Sequence, residues 1–275
     1  MRIVANSLPK SGTHLLIRFL ELLGYVENHP GLGGGMIKPS HRNPIRAYFT
    51  NKKRCINGDK EECFSIDLDD LNNKIKKSYL DKYINSIDNN HFIMGHLPYS
   101  KELDDYLNNN GMKFFYIIRD PRAVLLSYYN HQHKDPTYPF HYYFKDKTIK
   151  ESYKDVLNGM KINNVVLSPL KDRVKNSQCW LHSRNAFGIK FEELIGPKGG
   201  GDLTIQLKTI SNALEFLGLN KTSSEIAEIA DKVFYPKSET FHKGQIDSWK
   251  EEFDDEMLHY INYEIGELLI ELNYK

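Results

Sequence analysis

Residues 114–130 read FFYIIRDPRAVLLSYYN, and this stretch predicts a strand followed by a helix. Residues 114–118 form an unbroken apolar run, which is typical of a central parallel strand covered on both faces. Asp120 is suited to cap the helix and Pro121 to occupy its first position, so residues 123–131 are predicted to be helical.

The same alternation recurs along the chain. A short apolar run at residues 3–5 precedes apolar residues at helical spacing over 15–23, and further strands are predicted at 92–95 and 188–191. This order favours an α/β fold with a doubly wound, mainly parallel sheet flanked by helices, rather than a helical bundle or a β-sandwich. The length of 275 residues suits one domain spanning residues 1–275.

Other segments carry weaker signals. Residues 71–87 are predicted to be helical, and the glycine-rich stretches GLGGG at 31–35 and GPKGGGD at 196–202 are predicted to be loops. Six apolar residues at helical spacing predict a packing face in the last helix: Met257, Leu258, Ile261, Ile265, Leu268 and Leu269.

The composition disfavours several classes of protein. With 40% hydrophobic residues, 27% charged residues and a net charge of +1, neither a disordered chain nor a strongly basic nucleic-acid binder is expected. The N-terminus lacks the apolar core of a signal peptide, and the apolar run at 15–25 is shorter than the roughly 20 residues of a membrane span. We therefore expect a soluble, cytoplasmic protein.

The three cysteines, Cys55, Cys63 and Cys179, form no CxxC pair. Their odd number and their spacing favour reduced thiols without a role in chemistry. A zinc site or a redox pair is not predicted from them.

An anion-binding loop is predicted where the first strand turns into the first helix. Backbone N–H groups at such a turn point into one volume, glycine permits close approach, and the helix N-terminus favours negative charge. The loop is not a Walker A sequence, because its lysine precedes the only glycine. The alternative is an ordinary turn with a solvated lysine. The candidate residues are Lys10, Ser11, Gly12, Thr13 and His14.

Two further segments carry candidate anion ligands. Arg119 follows the strongest predicted strand and Ser127 lies two turns into the next helix, at the edge where open parallel sheets bind ligands. Near the C-terminus, FHKGQIDSWK places His242 and Lys243 beside Gly244. The alternatives are a helix-capping arginine with a serine on a helix face, and a solvated turn.

Together these segments resemble a known enzyme family. PKSGTH, RDPRAVLLSYY and HKGQIDSWK, in that order, resemble the three signatures of the sulfotransferases that use 3′-phosphoadenosine 5′-phosphosulfate (PAPS). The resemblance implies a P-loop NTPase-like sulfotransferase fold, PAPS as co-substrate with 3′-phosphoadenosine 5′-phosphate (PAP) as product, and no metal.

The resemblance also implies roles for particular residues. The first loop would hold the 5′-phosphosulfate, with Lys10 close to the bridging oxygen, while Arg119 and Ser127 would hold the 3′-phosphate. GHLPYSKEL at 95–103 resembles the family segment that supplies the catalytic histidine, so His96 is the expected general base. The expected acceptor is a hydroxyl of a small molecule, glycan or lipid, with an amine as second choice.

Two other segments resemble the family and several positions depart from it. KFEEL at 190–194 matches an aromatic-acid-acid-leucine segment, and Phe234 stands where an adenine-contacting phenylalanine is common. The departures are Leu15 for a tryptophan, Met94 for a lysine, Phe191 for a tyrosine and His242 for an arginine. We expect these changes to weaken the hold on the co-substrate.

The segment after the Arg119 helix is a candidate wall or lid of the acceptor pocket. Residues 135–144, DPTYPFHYYF, are rich in aromatic residues and proline, and covering the core is the equal alternative. His131 and His133 lie two residues apart, so on a helix they point to different faces and predict no metal site.

Two rival functions remain at this stage. A P-loop kinase or NTPase shares the order of strand, anion loop and helix, although the GK[ST] sequence is missing. The second rival is a non-catalytic nucleotide-binding protein with a weakened site. A requirement for magnesium would identify the kinase or NTPase.

Overall fold

The computed structural model describes residues 1–28, 55, 60–69, 71–136, 138, 140–162, 165–235 and 244–274. The glycine-rich stretch at 31–35 and two candidate ligands, His242 and Lys243, lie outside the described residues.

A five-stranded sheet lies at the centre of the described fold, with the order β2-β5-β1-β6-β9 and every neighbouring pair parallel. Its strands are β1 (Arg2–Ser7), β2 (Val26–Glu27), β5 (His91–Gly95), β6 (Met112–Ile118) and β9 (Ala186–Lys190). Two antiparallel hairpins lie outside it: β3 (Cys63–Ser65) with β4 (Lys74–Lys76), and β7 (Met160–Ile162) with β8 (Val165–Leu167).

Helices surround the sheet. In chain order they are α1 (Thr13–Leu22), α2 (Lys77–Asn85), α3 (Lys101–Asn109), α4 (Pro121–Lys134), α5 (His141–Phe144), α6 (Ile149–Asn158), α7 (Leu170–Gln178), α8 (Phe191–Leu194), α9 (Leu203–Leu217), α10 (Ser223–Val233) and α11 (Asp255–Glu271). In the described part of the chain, no helix is both long enough and apolar enough to span a membrane.

The strand β6 shows why the sheet is buried on both faces. Phe114 and Tyr116 pack in one apolar cluster, whereas Phe115 and Ile117 pack in a second cluster on the opposite face. Successive side chains of a strand point to opposite faces, so an unbroken apolar run fills both layers. The predicted central strand and the predicted parallel α/β sheet are confirmed.

The register of the strands brings three chain segments together. Asn6 of β1 pairs with Gly95 of β5 and with Tyr116 of β6, so these three strands end at the same edge. The residues that follow each strand therefore meet there, which is where open parallel sheets bind ligands.

The helix predicted over residues 71–87 is wrong in its first part. Lys74–Lys76 is a strand that pairs with Cys63–Ser65, and only Lys77–Asn85 is helical. Pairing buries Ile75 against Phe64, and this cross-strand contact overrides the helical spacing. The predicted strand at 188–191 also ends one residue early, because Phe191 begins α8.

The expectation of reduced thiols is wrong for two of the cysteines. Cys55 and Cys63 form a disulfide, with their Cα atoms 6.4 Å apart, while Cys179 is free and exposed. The Cys55 backbone N–H donates to the Lys74 carbonyl at 3.0 Å, which holds Cys55 beside the β3–β4 hairpin. The contact between Cys55 and Lys74 brings Cys55 within disulfide distance of Cys63. The spacing of the cysteines along the sequence does not predict this contact.

Candidate active site

The loop between β1 and α1 turns through two left-handed residues. Lys10 has φ 70° and Gly12 has φ 102°, and the Ser11 N–H donates to the Leu8 carbonyl at 3.0 Å. Helix α1 begins directly afterwards, at Thr13. The predicted arrangement of strand, loop and helix is therefore present, and the helix N-terminus follows the lysine.

Gly12 permits a close approach that no other residue would. A Cβ at this position would lie 2.5 Å from Cδ2 of Phe191 and 3.3 Å from Cδ1 of Ile117. Beside it, the Ser11 side chain is fully buried and its hydroxyl has no hydrogen-bond partner. Buried polar groups are nearly always satisfied, so the loop presents a donor that suits an oxygen of a bound anion.

His96 follows β5 and lies against the end of β1. Its Nδ1 is 2.8 Å from the Ser7 carbonyl oxygen and 3.2 Å from the Ser7 hydroxyl. Because a carbonyl only accepts, we assign the proton to Nδ1, which leaves the lone pair on Nε2. The Ser7 hydroxyl is also 2.6 Å from the Thr13 hydroxyl, so this contact extends to the start of α1.

Asn6 anchors the backbone next to His96. Its Oδ1 accepts from the Leu97 N–H at 2.7 Å and its Nδ2 donates to the Leu97 carbonyl at 3.1 Å. Both residues are fully buried, so the pair is shielded from water. These two hydrogen bonds fix the Leu97 backbone to β1, and they thereby hold the neighbouring His96 in place.

Electrostatics connect the charged residues of this edge. Burial lowers the pKa of Lys10 to about 8; the charge of Arg119 adds to this effect and Asp135 opposes it. Burial also lowers the pKa of His96, with a smaller contribution from the charge of Lys10. The site thus combines an imidazole that favours its neutral form with an ammonium group whose pKa is lowered to about 8.

Arg119 joins three separate segments. Its Nη2 donates to the Gln245 carbonyl at 2.8 Å, and its guanidinium lies 4.2 Å from the centre of the Phe191 ring. Its Nε is buried without a partner. Gln245 follows Gly244, which has φ 59°, so the predicted C-terminal segment does reach the Arg119 side of the site.

The structure brings some predicted ligands together and leaves others apart. Lys10 lies within electrostatic range of both His96 and Arg119, and Ser127 is half-buried on α4. His14 is exposed, and Phe234 follows α10 and packs against the apolar cluster that includes α1.

Sequence reasoning missed several residues of this edge. Asn6 and Ser7 received no role, and Asp135, Glu192 and Gln245 were recognised only as parts of longer segments. One signal was available, because Asn6 and Ser7 are polar residues that directly continue the apolar run of a buried strand. Such residues usually have a specific partner.

The segment after α4 covers part of the core, and its role as a wall or lid of the acceptor pocket stays a prediction. Phe140 and Phe144 are fully buried in the core, whereas Asp135 lies within electrostatic range of Lys10 and Tyr142 is exposed. Among the described residues, no group of three or more histidine, cysteine or carboxylate side chains could hold a metal ion.

Comparisons with known proteins agree with this architecture. A family model described as the sulfotransferase domain matches residues 2–272. The fold is similar to a mouse sulfotransferase, SULT7A1, solved in complex with PAP (TM-score 0.60, 18% identity, covering 98% of this chain and 84% of that one). It is also similar to retinol dehydratase in complex with androsterone and the inactive cofactor PAP (TM-score 0.61, 17% identity, 98% and 80% covered). No curated protein matches the sequence.

Proposed function

This chain belongs to the sulfotransferase domain family, and on that premise we propose that it transfers the sulfuryl group of PAPS to an acceptor hydroxyl. One observation carries the proposal. The ends of β1, β5 and β6 meet at one edge of the sheet, which gathers an anion loop, a neutral histidine and a buried arginine. The two similar structures, each solved with PAP, support the choice of donor.

The residues present fit an anionic nucleotide. The buried Ser11 hydroxyl and the Arg119 Nε lack partners, and Gly12 lets the loop pack closely against Phe191, where a Cβ would clash. In the proposal, residues 10–14 hold the 5′-phosphosulfate. The 3′-phosphate is held by Arg119, Ser127 and the segment 242–244. Phe234, beside the same helix α1, is the proposed adenine contact.

Phe191 supports this proposal despite its departure from the tyrosine of the family. Its ring lies under the Arg119 guanidinium and also limits the space at Gly12. A cation beside the face of an aromatic ring is stabilised without a hydroxyl group. The loss of the tyrosine hydroxyl therefore leaves the position of Arg119 intact.

His96 is the proposed general base. The Ser7 carbonyl holds the Nδ1 proton, so Nε2 can accept the proton of the acceptor hydroxyl. As that proton moves, the acceptor oxygen forms a bond to sulfur and the bond between sulfur and the bridging phosphate oxygen breaks. The products are the sulfate ester, PAP and a protonated His96.

Lys10 stabilises the negative charge that develops on the leaving oxygen. Its side chain is half-buried, and in a site with little water a charge acts more strongly than it would in bulk solvent. Lys10 must hold its proton to act in this way. Because its pKa is lowered to about 8, alkaline solution removes that proton and weakens the contribution. His96 has the opposite requirement, because only its neutral form accepts a proton.

The experiment that tests the proposal is calorimetric titration of the protein. Three ligands are titrated into the protein and compared: PAP, ATP with magnesium, and ATP with a chelator. The proposal expects micromolar or tighter binding of PAP without metal, together with sulfation of at least one hydroxyl acceptor when PAPS is supplied. Binding of magnesium-ATP alone would contradict it and favour a phosphoryl-transfer enzyme.

A further inference from the structure

Arg173 on α7 is a buried cation that the proposed reaction does not use. Its side chain is fully buried, and none of its nitrogens Nε, Nη1 and Nη2 has a hydrogen-bond partner. A guanidinium has five N–H donors and no acceptor. Leaving such a group buried and unsatisfied is costly, so the structure lacks an oxygen-bearing partner at this point.

The neighbours of Arg173 compensate its charge only in part. Asp69 is 3.7 Å from Nε, too far for a hydrogen bond, and burial raises the pKa of this carboxyl. Asp69 lies near Nε only, so Nη1 and Nη2 have no hydrogen-bond acceptor. The guanidinium also lies 5.3 Å from the Tyr128 ring, whose hydroxyl is buried without a partner.

This cluster lies on the side of the site that carries His96. Tyr128 directly follows Ser127 on α4, and Asp67, two residues before Asp69, acts electrostatically on His96. On α7, the Asn176 carbonyl accepts from the Tyr99 N–H at 2.6 Å, which attaches this helix to the segment that begins at His96.

A cavity of about 270 Å³ lies against α7, the helix that carries Arg173. It is lined by residues of the β3–β4 hairpin, by residues 98–100 and by Asn176. Asn176 lies one helical turn after Arg173, and Asn72, also on the wall, lies three residues after Asp69. Arg173 is fully buried and is not among the residues that line the cavity.

We propose that Arg173 and Tyr128 bind a carboxylate of the acceptor, so that the acceptor is a hydroxy acid. The inference rests on the proposed function and names its substrate class. A carboxylate has two oxygens that match the paired donors Nη1 and Nη2, and the Tyr128 hydroxyl can add a third hydrogen bond. A neutral group would leave the Arg173 charge compensated only in part, by Asp69.

The test compares acids with their neutral analogues. The protein saturated with PAP is titrated by calorimetry with 4-hydroxyphenylacetate, 4-hydroxybutyrate and phenyl β-glucuronide, each against its methyl ester. We expect at least one acid to bind roughly 10- to 100-fold more tightly than its ester. In Arg173→Met the ratio of acid to ester affinity falls to about one, and in Tyr128→Phe it falls less.

Controls separate this inference from the proposed function. Lys175→Met removes an exposed cation from the same helix and keeps the preference for acids. The titrations are repeated without PAP, so a failure of PAP to bind contradicts the proposed function alone. Equal affinities of every acid and ester, or a preference that persists in Arg173→Met, would overturn the hydroxy-acid assignment. Tyr128→Phe provides the test if Arg173→Met does not fold.

Discussion

His96 shows how one backbone atom prepares a side chain for chemistry. The carbonyl of Ser7 accepts from Nδ1, and this contact selects the tautomer with a free lone pair on Nε2. Burial and the charge of Lys10 both favour the neutral ring. The imidazole therefore remains neutral, and able to accept a proton, at lower pH than a free histidine does.

Replacing His96 tests its proposed role. In His96→Ala we expect the turnover number to fall by about 10²- to 10⁴-fold, because a positioned base is lost. The affinity for PAP, measured by calorimetry, should stay close to that of the wild type. His259→Ala, which removes an exposed histidine from α11, is the matched control. Full activity of His96→Ala would exclude His96 as the base.

The titration of Lys10 predicts an alkaline limit to donor capture. The pKa of the free enzyme's Lys10 is lowered to about 8, so kcat/KM for PAPS should fall as pH rises through that value. The phosphates of bound donor favour the protonated amine, so the same limb in kcat should lie at higher pH. Initial rates from pH 5 to 10 measure both, and the acidic limb should lie below the ordinary histidine value of about 6.5.

Lys10→Arg is the control for this profile. Arginine keeps its charge throughout the range, so the limb near pH 8 should disappear even if the variant is slow. A limb that persists in this variant would belong to another group.

Gly12 combines two requirements that can be separated by mutation. Gly12→Ala adds a left-handed alanine, which costs about 1–2 kcal/mol, and a contact with Phe191 that costs about 1–3 kcal/mol more. Gly24→Ala has a similar φ of 91° but meets nothing within 4 Å, so it should cost only the first amount. Denaturant unfolding measures both, and only Gly12→Ala should weaken PAP binding. Equal losses would show that the contact is unimportant.

At the scale of elements, the end of the chain supports the short helix α8. The Tyr274 hydroxyl donates to Oε2 of Glu192 at 3.0 Å, and Oε1 of the same carboxylate accepts from the Asp120 N–H at 3.0 Å. Asp120 caps α4 and directly follows Arg119. The segment after α11 thus connects through α8 to the start of the helix that orients the arginine.

Tyr274→Phe tests this connection. Loss of the hydrogen bond should lower the free energy of unfolding by about 1–2 kcal/mol, because the acceptor is a partly buried carboxyl. It should also weaken PAP binding several-fold, since Glu192 loses the hydrogen bond that ties it to the end of the chain. Tyr263→Phe on α11 is the control, because that side chain is 81% exposed. An unchanged PAP affinity in Tyr274→Phe would limit the contact to a role in stability.

At the scale of the whole molecule, the disulfide predicts a thiol count. The chain has three cysteines, and with Cys55 joined to Cys63 the denatured, unreduced protein should titrate one thiol per chain. Reduction should raise the count to three, and Cys179→Ser should remove the single thiol. Three thiols without reduction would contradict the disulfide and agree with the predicted cytoplasmic location, because reducing compartments disfavour disulfides.

The same disulfide should stabilise the folded chain. It closes a loop with a sequence separation of 8, for which loop-closure entropy gives about 2–3 kcal/mol. Reduction, or the Cys63→Ser variant, should lower the midpoint of denaturant unfolding accordingly. An unchanged midpoint would show that the β3–β4 hairpin is held by its backbone pairing alone.

Much of the fold follows from local patterns. The site lies at the ends of three strands that were predicted from their apolar runs. The helix Pro121–Lys134 was predicted from its capping residue and its proline. The hairpin of β3 with β4 was missed, because its short strands are stabilised by each other and carry little signal of their own.

Local sequence patterns were enough for the order of the motifs, for the central strands and for the membership of the family. These depend on residues that are neighbours along the chain. Three contacts could not be predicted from such patterns: Ser7 orients His96, Cys55 meets Cys63, and Arg173 is buried without an acceptor. Each of those facts depends on which distant segments pack together, and packing is a property of the whole chain.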